Sequence, residues 1–388
     1  MQKRSLIGVV SLASALVLGS IVPVAAQDMV VKIAVAAPLS GPQAPEGTAI
    51  LNGMQLAVDQ LGSMVMDMGY TIEVVPFDDE ATPAVGEANA ADIVADAAIL
   101  AVIGHFNSGV AIPSSVVYDA AGLVMVSPSN TAPAVTDRGL ATVNRVTGRG
   151  DYITQVMIEF LGSESITSAY VVDDTRAFGA SISEAFLAQA EAAGLTVAGS
   201  ASTEDFAPVV EEIIAAAPGA VILAGDSDTM GALAAALGAA GYEGQLVGAG
   251  TAAAPGFLEL AGETAVGVVD IGTSAAVADL MGAEQFATDF EAAYDLAAAG
   301  NAAEAYDATG VVLAAIARAA EAAGAIPTRE AVATEVRATV DYAGLTGTIN
   351  FDANGDRAAA NYYAYSIVDV DGTTELVSSF EFASPLSE

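Results

Sequence analysis

The chain has 388 residues with no cysteine and a single histidine, and 48 acidic residues against 11 lysines and arginines give a formal net charge of −37. This surplus of negative charge argues against nucleic acid or an anionic membrane as a partner. The acidic residues are scattered along the sequence, which indicates a solvated surface rather than an acidic interaction tail. Without cysteine the protein has no disulfide framework, and its length predicts two lobes or domains.

Residues 1–26 have the pattern of a secretory signal peptide. Two basic residues come near the start, an uncharged apolar stretch runs from Leu6 to Val22, and small residues precede Gln27. A transmembrane anchor is the competing interpretation, because the apolar stretch approaches the roughly 20 residues that a span needs. Glycines, serines and Pro23 dilute the stretch, so we expect a cleaved signal and an exported protein, periplasmic or extracytoplasmic.

From Met29 onward, short apolar runs that predict buried strands alternate with helical stretches. The first series of runs is VVKIAVA (30–36), TIEVVPF (71–77), ILAVIG (99–104), LVMVSP (123–128) and ATVNRVT (141–147). The second is SAYVVDD (168–174), LTVAGS (195–200), AVILAGD (220–226), QLVGAG (245–250) and GVVDIG (267–272). Continuous apolar strands separated by helices are typical of a parallel sheet covered on both faces. The sequence therefore predicts two α/β sheets in tandem.

Helices are predicted between these strands and after them. The stretches between strands include 49–62, 180–194, 206–217 and 229–242. Beyond Gly272 the pattern predicts Ala-rich helices at about 283–299 and 302–323, a shorter one near 328–339, and strand-like segments up to the end. No low-complexity linker separates the two α/β halves, which favours lobes joined by crossing strands.

The segment INFDANGDR (349–357) invites a calcium interpretation, because Asp352, Asn354 and Asp356 alternate within it. Its glycine stands at the wrong offset for an EF-hand loop and no glutamate closes the loop. Asn354-Gly355 instead predicts a tight hairpin turn. We therefore expect no metal site.

Residues suited to catalysis are few. With no cysteine and only His105, most nucleophile-and-base arrangements cannot form, and no nucleophile elbow, phosphate loop or zinc-protease motif occurs. A structural role is expected for His105, since no second histidine is available to share a metal. The acidic pairs at strand ends, Asp78-Asp79 and Asp173-Asp174, fit either general acid–base chemistry or the capping of loops, and capping is the preferred interpretation.

Two clusters of small polar residues follow neighbouring predicted strands. The first is Asn107-Ser108-Gly109 and the second is Ser127-Pro128-Ser129-Asn130-Thr131. Ligands of parallel sheets bind outside the carboxyl ends of the strands, where helix N-termini offer unpaired N–H groups to an anion. Ser108 and Thr131 are therefore candidates to hold one carboxylate between them. The alternative is that each is simply a helix cap.

A series of segments in order resembles the leucine/isoleucine/valine-binding family of periplasmic solute-binding proteins, which feed ABC transporters. They are PLSGPQAPEG (38–47), FDDEATP (77–83), VIGHFNSG (102–109), SPSNTAPAVTDRG (127–139), VVDDTRAFG (171–179), EDF (204–206) and GETAVGV (262–268). The later Asn301, Tyr306-Asp307 and FDANGD also fit, so the resemblance covers nearly the whole mature chain.

The resemblance implies two doubly wound parallel-sheet lobes joined by three crossing strands, with the ligand in the cleft between them. Lobe 1 would comprise 27–147 and 274–350 and lobe 2 would comprise 148–273 and 351–388, with crossings near Thr147, Thr273 and Asn350. Ser108 matches the family's carboxylate-binding serine, and Phe178 matches the aromatic residue of the second lobe that closes over the ligand. The residues that match the groups holding carboxylate and ammonium are Ser129, Asn130 and Thr131.

The sequence departs from the family pattern at two positions. Glu46 stands before the glycine of the first loop, where branched-chain amino-acid binders often have an aromatic residue. The acidic residue expected from the second lobe is replaced by Gly250, and Asp226 at the end of the preceding strand is a candidate to supply that charge. Asp226 also fits a helix cap. Asn107 and Glu46 favour a ligand more polar than leucine.

The predicted function is therefore binding of an amino acid, of the branched-chain type or a more polar relative, for delivery to an ABC permease in the membrane. No cofactor or catalysis is implied, and we expect a monomer. A ligand sensor of the same fold, or an amide- or urea-binding protein, is the first alternative. An exported enzyme using Asp78, Asp173 or Asp226 is the second.

Overall fold

A computed structural model describes residues 29–370 and 373–383, so the predicted signal peptide lies outside the described residues. This part of the chain is an α/β protein with two main sheets and one separate two-stranded sheet. The prediction of two α/β lobes in tandem is confirmed. Within the described ranges, no helix is both long and apolar enough to cross a membrane.

The first lobe is built on a five-stranded sheet with the strand order β2-β1-β3-β4-β5, in which every neighbouring pair is parallel. Its strands are β1 (Met29–Ala37), β2 (Tyr70–Asp78), β3 (Ile99–Gly104), β4 (Val124–Ser127) and β5 (Val143–Arg145). The helices that connect them are α1 (Ala44–Leu61), α2 (Ser63–Met66), α3 (Pro83–Ala95) and α4 (Ser108–Ala120).

The central strands of this sheet are buried on both faces. Alternate side chains of β1 and β3 enter different cores, because successive side chains of a strand point to opposite faces. Ile33 and Ile103 pack into one core, and Ala34 and Val102 pack into the other. All six residues of β3 are buried, which explains its uninterrupted apolar sequence.

The second lobe is built on a seven-stranded sheet with the order β14-β13-β10-β9-β8-β6-β7. Its strands are β6 (Ser168–Asp173), β7 (Thr196–Ser202), β8 (Ala220–Ala224), β9 (Gln245–Gly248), β10 (Val269–Gly272), β13 (Asn361–Val370) and β14 (Thr373–Ala383). Its helices are α5 (Gly150–Ser163), α6 (Ala177–Ala190), α7 (Phe206–Ala216), α8 (Ser227–Ala239) and α9 (Pro255–Ala261). The strands from β6 to β10 are parallel, whereas β13 pairs antiparallel with both β10 and β14.

The chain returns to the first lobe after β10. The returning elements are α10 (Glu284–Tyr294), α11 (Ala302–Ala323), α12 (Arg329–Arg337), β11 (Tyr342–Gly344) and β12 (Gly347–Ile349). Helix α11 packs along α1, and α12 contacts β3 and β4. The helix predicted over 283–299 is too long, because Asp295 adopts a left-handed conformation (φ 55°) that ends α10. Residues 295–301 are irregular instead.

The chain passes between the two sheets three times: after β5, after β10 and between β12 and β13. The crossing segments contact one another. The hydroxyls of Thr147 and Thr273 lie 2.6 Å apart, and the Tyr362 hydroxyl accepts a 2.9 Å hydrogen bond from the Arg149 N–H. The three crossing segments therefore pack against one another.

The segment 351–357 packs on the first lobe. Gly355 accepts a hydrogen bond from the Arg145 N–H at 2.9 Å, and Asp356 pairs with the Arg145 guanidinium at 2.5 Å. We therefore propose that lobe 1 extends past Asn350 and comprises 29–147 and 274–357, with 148–273, 358–370 and 373–383 in lobe 2. Within this segment an antiparallel bridge joins Phe351 to Arg357, and the Asp352 carboxylate accepts hydrogen bonds from the N–H groups of Asn354 and Asp356.

Candidate functional site

A cleft of about 610 Å³ lies between the lobes and is lined by residues of both. The parallel strands of both sheets end at it, as expected for ligand sites of α/β proteins. Seven of the eight residues predicted for the site line this cleft: Glu46, Asn107, Ser108, Ser129, Thr131, Phe178 and Asp226. The eighth, Asn130, lies behind the cleft wall.

The first polar cluster forms the start of α4 at the end of β3. Asn107 is the N-cap residue, but its side chain makes no capping hydrogen bond. The first intrahelical bonds run from Val110 and Ala111 to the Asn107 carbonyl, so the N–H groups of Ser108 and Gly109 precede the helical ladder. This helix end therefore presents donors to the cleft, as anion sites do.

The second cluster follows β4 and is tied to the first. Ser129 donates from Oγ to the Phe106 carbonyl at 2.8 Å, and Asn130 donates from Nδ2 to the same carbonyl at 2.7 Å. Ser127 Oγ donates to Asn130 Oδ1, so both polar atoms of that buried amide are hydrogen-bonded. Asn130 therefore has a structural role in this geometry, holding the two polar turns side by side.

Thr131 differs from its neighbours in the cluster. Its side chain is 6% exposed and lines the cleft, and no hydrogen-bond partner is present for Oγ1 among the described residues. Its carbonyl accepts a 2.7 Å hydrogen bond from the Gly150 N–H at the start of α5, which fixes the backbone across the first crossing. A buried hydroxyl without a partner costs free energy, so this group is suited to a bound ligand.

The N-terminus of helix α6 in the second lobe lies close to the N-terminus of α4 in the first lobe. Phe178 stands in its first turn and lines the cleft. A Cβ placed on Gly109 of α4 would lie 3.6 Å from the Cβ of Ala177 at the start of α6, so the two helix N-termini meet across the cleft. The aromatic ring is thus positioned at the junction of the lobes.

Asp226 is the N-cap residue of α8, and its carboxylate does not cap the helix. It forms an ion pair with Arg176 at 2.5 Å and receives a longer hydrogen bond, 3.4 Å, from Asn107 Nδ2 of the other lobe. Asp174 lies behind it and accepts a hydrogen bond from the Asp226 N–H. Burial and the charge of Asp226 raise the pKa of Asp174 to about 6.

Glu46 faces these acids from the first turn of α1. Its side chain is 7% exposed, and Oε2 has no hydrogen-bond partner in the described structure. Burial raises the pKa of the Glu46 carboxyl above its ordinary value, and the charges of Asp228 and Asp226 add to that effect. The next residue must be glycine, because a Cβ at Gly47 would overlap the Pro38 carbonyl oxygen.

Gly250 also has a structural reason to be glycine. Its φ is +85°, and a Cβ there would lie 3.1 Å from the Cα of Gly272. The loop is held by Asp270, whose carboxylate accepts hydrogen bonds from the N–H groups of Gly250 and Ala253 at 2.8 and 3.0 Å. The sequence analysis missed Asp270 as a cleft residue, although a lone acid in an apolar strand was the available signal.

His105 and the acidic pairs at the strand ends make hydrogen bonds that stabilise the fold around the cleft. His105 Nδ1 lies 2.8 Å from Asp79 Oδ2 and Nε2 lies 3.1 Å from the Tyr118 hydroxyl, all buried. Asp78 accepts hydrogen bonds from the Leu39 and Glu80 N–H groups. Asp173 likewise accepts from Thr175 N–H and the Ser202 hydroxyl. Across the described residues, no group of three or more potential metal ligands is found.

The sequence profile of a periplasmic binding protein family matches residues 30–373. The chain belongs to the periplasmic binding protein family. This confirms the resemblance carried by the ordered segments. Its members are binding proteins of the periplasm.

Two curated relatives match this periplasmic binding protein over most of its length. The Leu/Ile/Val-binding protein BraC3 of Rhizobium johnstonii is 30% identical over 340 residues, 86% of this chain and 91% of that protein. The Leu/Ile/Val-binding protein homolog 3 of Brucella melitensis is 28% identical over 337 residues, 86% of this chain and 90% of that protein.

Solved structures confirm the fold of this periplasmic binding protein. The leucine binding protein LivK of Thermotoga maritima superimposes with a TM-score of 0.80 at 24% identity, covering 89% of this chain and 97% of that one. LivJ of Streptococcus pneumoniae, solved in complex with isoleucine, gives a TM-score of 0.77 at 22% identity, covering 90% and 100%.

Proposed function

We propose that this protein binds an amino acid in the cleft between its lobes and delivers it to an ABC permease. The unpartnered hydroxyl of Thr131, beside the N–H groups that open α4, carries the proposal. We infer that these donors hold one carboxylate, with the positive end of the helix dipole adding to their attraction. The named relatives are Leu/Ile/Val-binding proteins, which supports an amino acid as the ligand class.

Ligand capture is proposed to couple to closure of the lobes. Ser108 and Thr131 would bind the carboxylate from lobe 1, and Phe178 would cover the ligand from lobe 2. A ligand that contacts both lobes favours the closed arrangement over the open one, because differential contact free energy is what shifts such an equilibrium. The three crossing segments, with their Thr147–Thr273 contact, are the proposed hinge.

Binding without turnover is part of the proposal. The carboxylates of Asp78 and Asp173 accept backbone N–H groups, and Asp226 is paired with Arg176. None of these carboxylates is left without a partner to act as a catalytic base, which supports a binding protein over an enzyme. We also propose a cleaved signal peptide at residues 1–26 and a monomeric mature protein.

The experiment is a thermal-shift screen of the purified protein against the amino acids, simple amides, urea and small carboxylates, followed by calorimetry. A ligand at 100 times its Kd that binds only the folded state adds about 2.7 kcal/mol to the unfolding free energy. We expect at least one amino acid to raise the Tm and the corresponding compound without a carboxylate to have no effect. A shift with amides or urea and none with amino acids would contradict the proposal.

A further inference from the structure

One end of the cleft is a wall of hydrogen-bond acceptors that the protein itself leaves unmatched. Glu46 Oε2 and Asn107 Oδ1 have no hydrogen-bond partner among the described residues, and neither does Asp228 Oδ1, two residues beyond the cleft residue Asp226. Glu46 and Asn107 line the cleft from lobe 1, and Glu46 is more than nine-tenths buried. Acceptor atoms buried without donors cost free energy, so an occupant of this end has to supply donors.

The same wall carries a surplus of negative charge. Glu46 and Asp226 line the cleft from opposite lobes, and the charges of Asp228 and Asp226 both act on Glu46. Arg176 is the cation that meets them: it pairs with Asp226 at 2.5 Å and lies 3.9 Å from Asp228. With Glu46 ionised, the three carboxylates of Glu46, Asp226 and Asp228 and the one guanidinium of Arg176 leave two net negative charges around this end of the cleft.

A simple zwitterionic amino acid balances only part of that surplus. Its carboxylate would be held at the start of α4, and its single ammonium group would cancel one of the two charges. A second cationic group on the ligand would cancel the other and would also supply donors to the unmatched acceptors. Glu204, which lies 3.6 Å from Arg176, adds further negative charge on the second lobe.

We propose that this binding protein selects an amino acid whose side chain ends in an ammonium or guanidinium group, and that Glu46 and Asp226 bind that end while the charge of Asp228 adds to the attraction. The inference rests on the proposed function, since it needs the carboxylate to lie at Ser108 and Thr131. The size of the cleft, about 610 Å³, leaves room for an extended side chain.

The test compares charged ligands with neutral ligands of the same shape by calorimetry. L-arginine is paired with L-citrulline and L-lysine with L-norleucine, and L-leucine is measured beside them. We expect arginine or lysine to bind at least about tenfold more tightly than its neutral counterpart and than leucine, since hydrogen bonds between charged groups are stronger than those between neutral ones. Leucine binding more tightly than both basic amino acids would overturn the inference.

Two variants locate the selectivity. Glu46→Gln keeps the shape of the side chain. It should lower the affinity for the basic ligand at least about tenfold and should change the affinities for citrulline and norleucine by less than about threefold. Glu291→Gln is the matched control, because Glu291 lines the same cleft but is exposed, and it should change neither. An equal loss for every amino acid in Glu46→Gln would assign Glu46 to the α-ammonium group and would overturn the inference.

The proton balance gives an independent readout. Burial and the charges of Asp228 and Asp226, both of which lie near Arg176, raise the pKa of Glu46, so a bound cation should lower that pKa and release a proton. The affinity for the basic ligand should therefore rise with pH above the ordinary glutamate range, and less so in Glu46→Gln. Binding of leucine alone would leave the proposed function intact and refute this inference. Binding of no amino acid would refute both.

Discussion

Replacing Thr131 by valine tests the carboxylate site with the least disturbance to the fold. The substitution exchanges a hydroxyl for a methyl group of similar size, and the Thr131 hydroxyl makes no hydrogen bond to the described protein. Its removal should therefore leave the unfolding free energy unchanged or slightly raised, because a buried polar group without a partner is lost. Loss of one hydrogen bond to a charged ligand group should cost about 1.5–3 kcal/mol, or about 10- to 150-fold in Kd.

The assay is calorimetric titration of both proteins with the amino acid that gives the largest thermal shift, together with urea denaturation of each. Thr339→Val is the matched control, because the Thr339 hydroxyl is also buried and unpartnered but does not line the interlobe cleft. We expect the control to bind normally. Unchanged affinity in Thr131→Val would refute the assignment of this hydroxyl to the ligand, and a large loss of stability would show that it has a structural partner.

Two further changes separate binding from stability. Ser108→Ala should weaken binding of the amino acid by roughly 1–3 kcal/mol in calorimetry. Ser114→Ala removes another buried hydroxyl from α4 and should leave binding unchanged. Equal affinities of the two variants would show that Ser108 is a structural residue only. Asp356→Asn should lower the unfolding free energy by about 3–5 kcal/mol in urea denaturation, because it leaves the buried Arg145 guanidinium without its carboxylate. Burial raises the pKa of Asp356, but the Arg145 charge and hydrogen bonds from neighbouring arginines and a threonine outweigh it and hold the pKa below the ordinary value of 3.8. The difference in unfolding free energy between the wild type and Asp356→Asn should therefore shrink as the pH falls below that value. The exposed Asp137→Asn should cost less than about 1 kcal/mol, and a similar cost for both variants would contradict the role given to the buried pair.

The strands were predictable because each is a local signal. All five strands of the first sheet and the five parallel strands of the second overlap the apolar runs read from the sequence, and β3 matches its run residue for residue. The end of α10 was not predictable in this way, since residues 295–299 are rich in alanine and favour a helix. Asp295 in a left-handed conformation and Gly300 with φ 54° turn that stretch into a loop.

The positions of the site residues were predictable, but their partners were not. The rule that ligand sites lie at the ends of parallel strands pointed to Ser108 and Thr131, and both residues line the cleft. Arg176 is 50 residues from Asp226, so the ion pair between them depends on how α6 and α8 pack rather than on any local pattern. Asn130 was expected at the ligand for the same reason as Thr131, and only the three-dimensional structure distinguishes the bonded amide from the free hydroxyl.

The central claim, that an amino acid is held by closure of two lobes, is tested most directly by the distance between them. The chain has no cysteine, so Ala84→Cys in α3 and Ala207→Cys in α7 introduce unique labelling sites. Both residues are exposed, and they follow β2 and β7, the edge strands farthest from the crossing segments. Electron–electron double resonance between two spin labels should give a longer, broader distance distribution without ligand. A saturating amino acid should shorten and narrow it, with a midpoint equal to the calorimetric Kd. A distribution that does not change while calorimetry reports full binding would contradict the account.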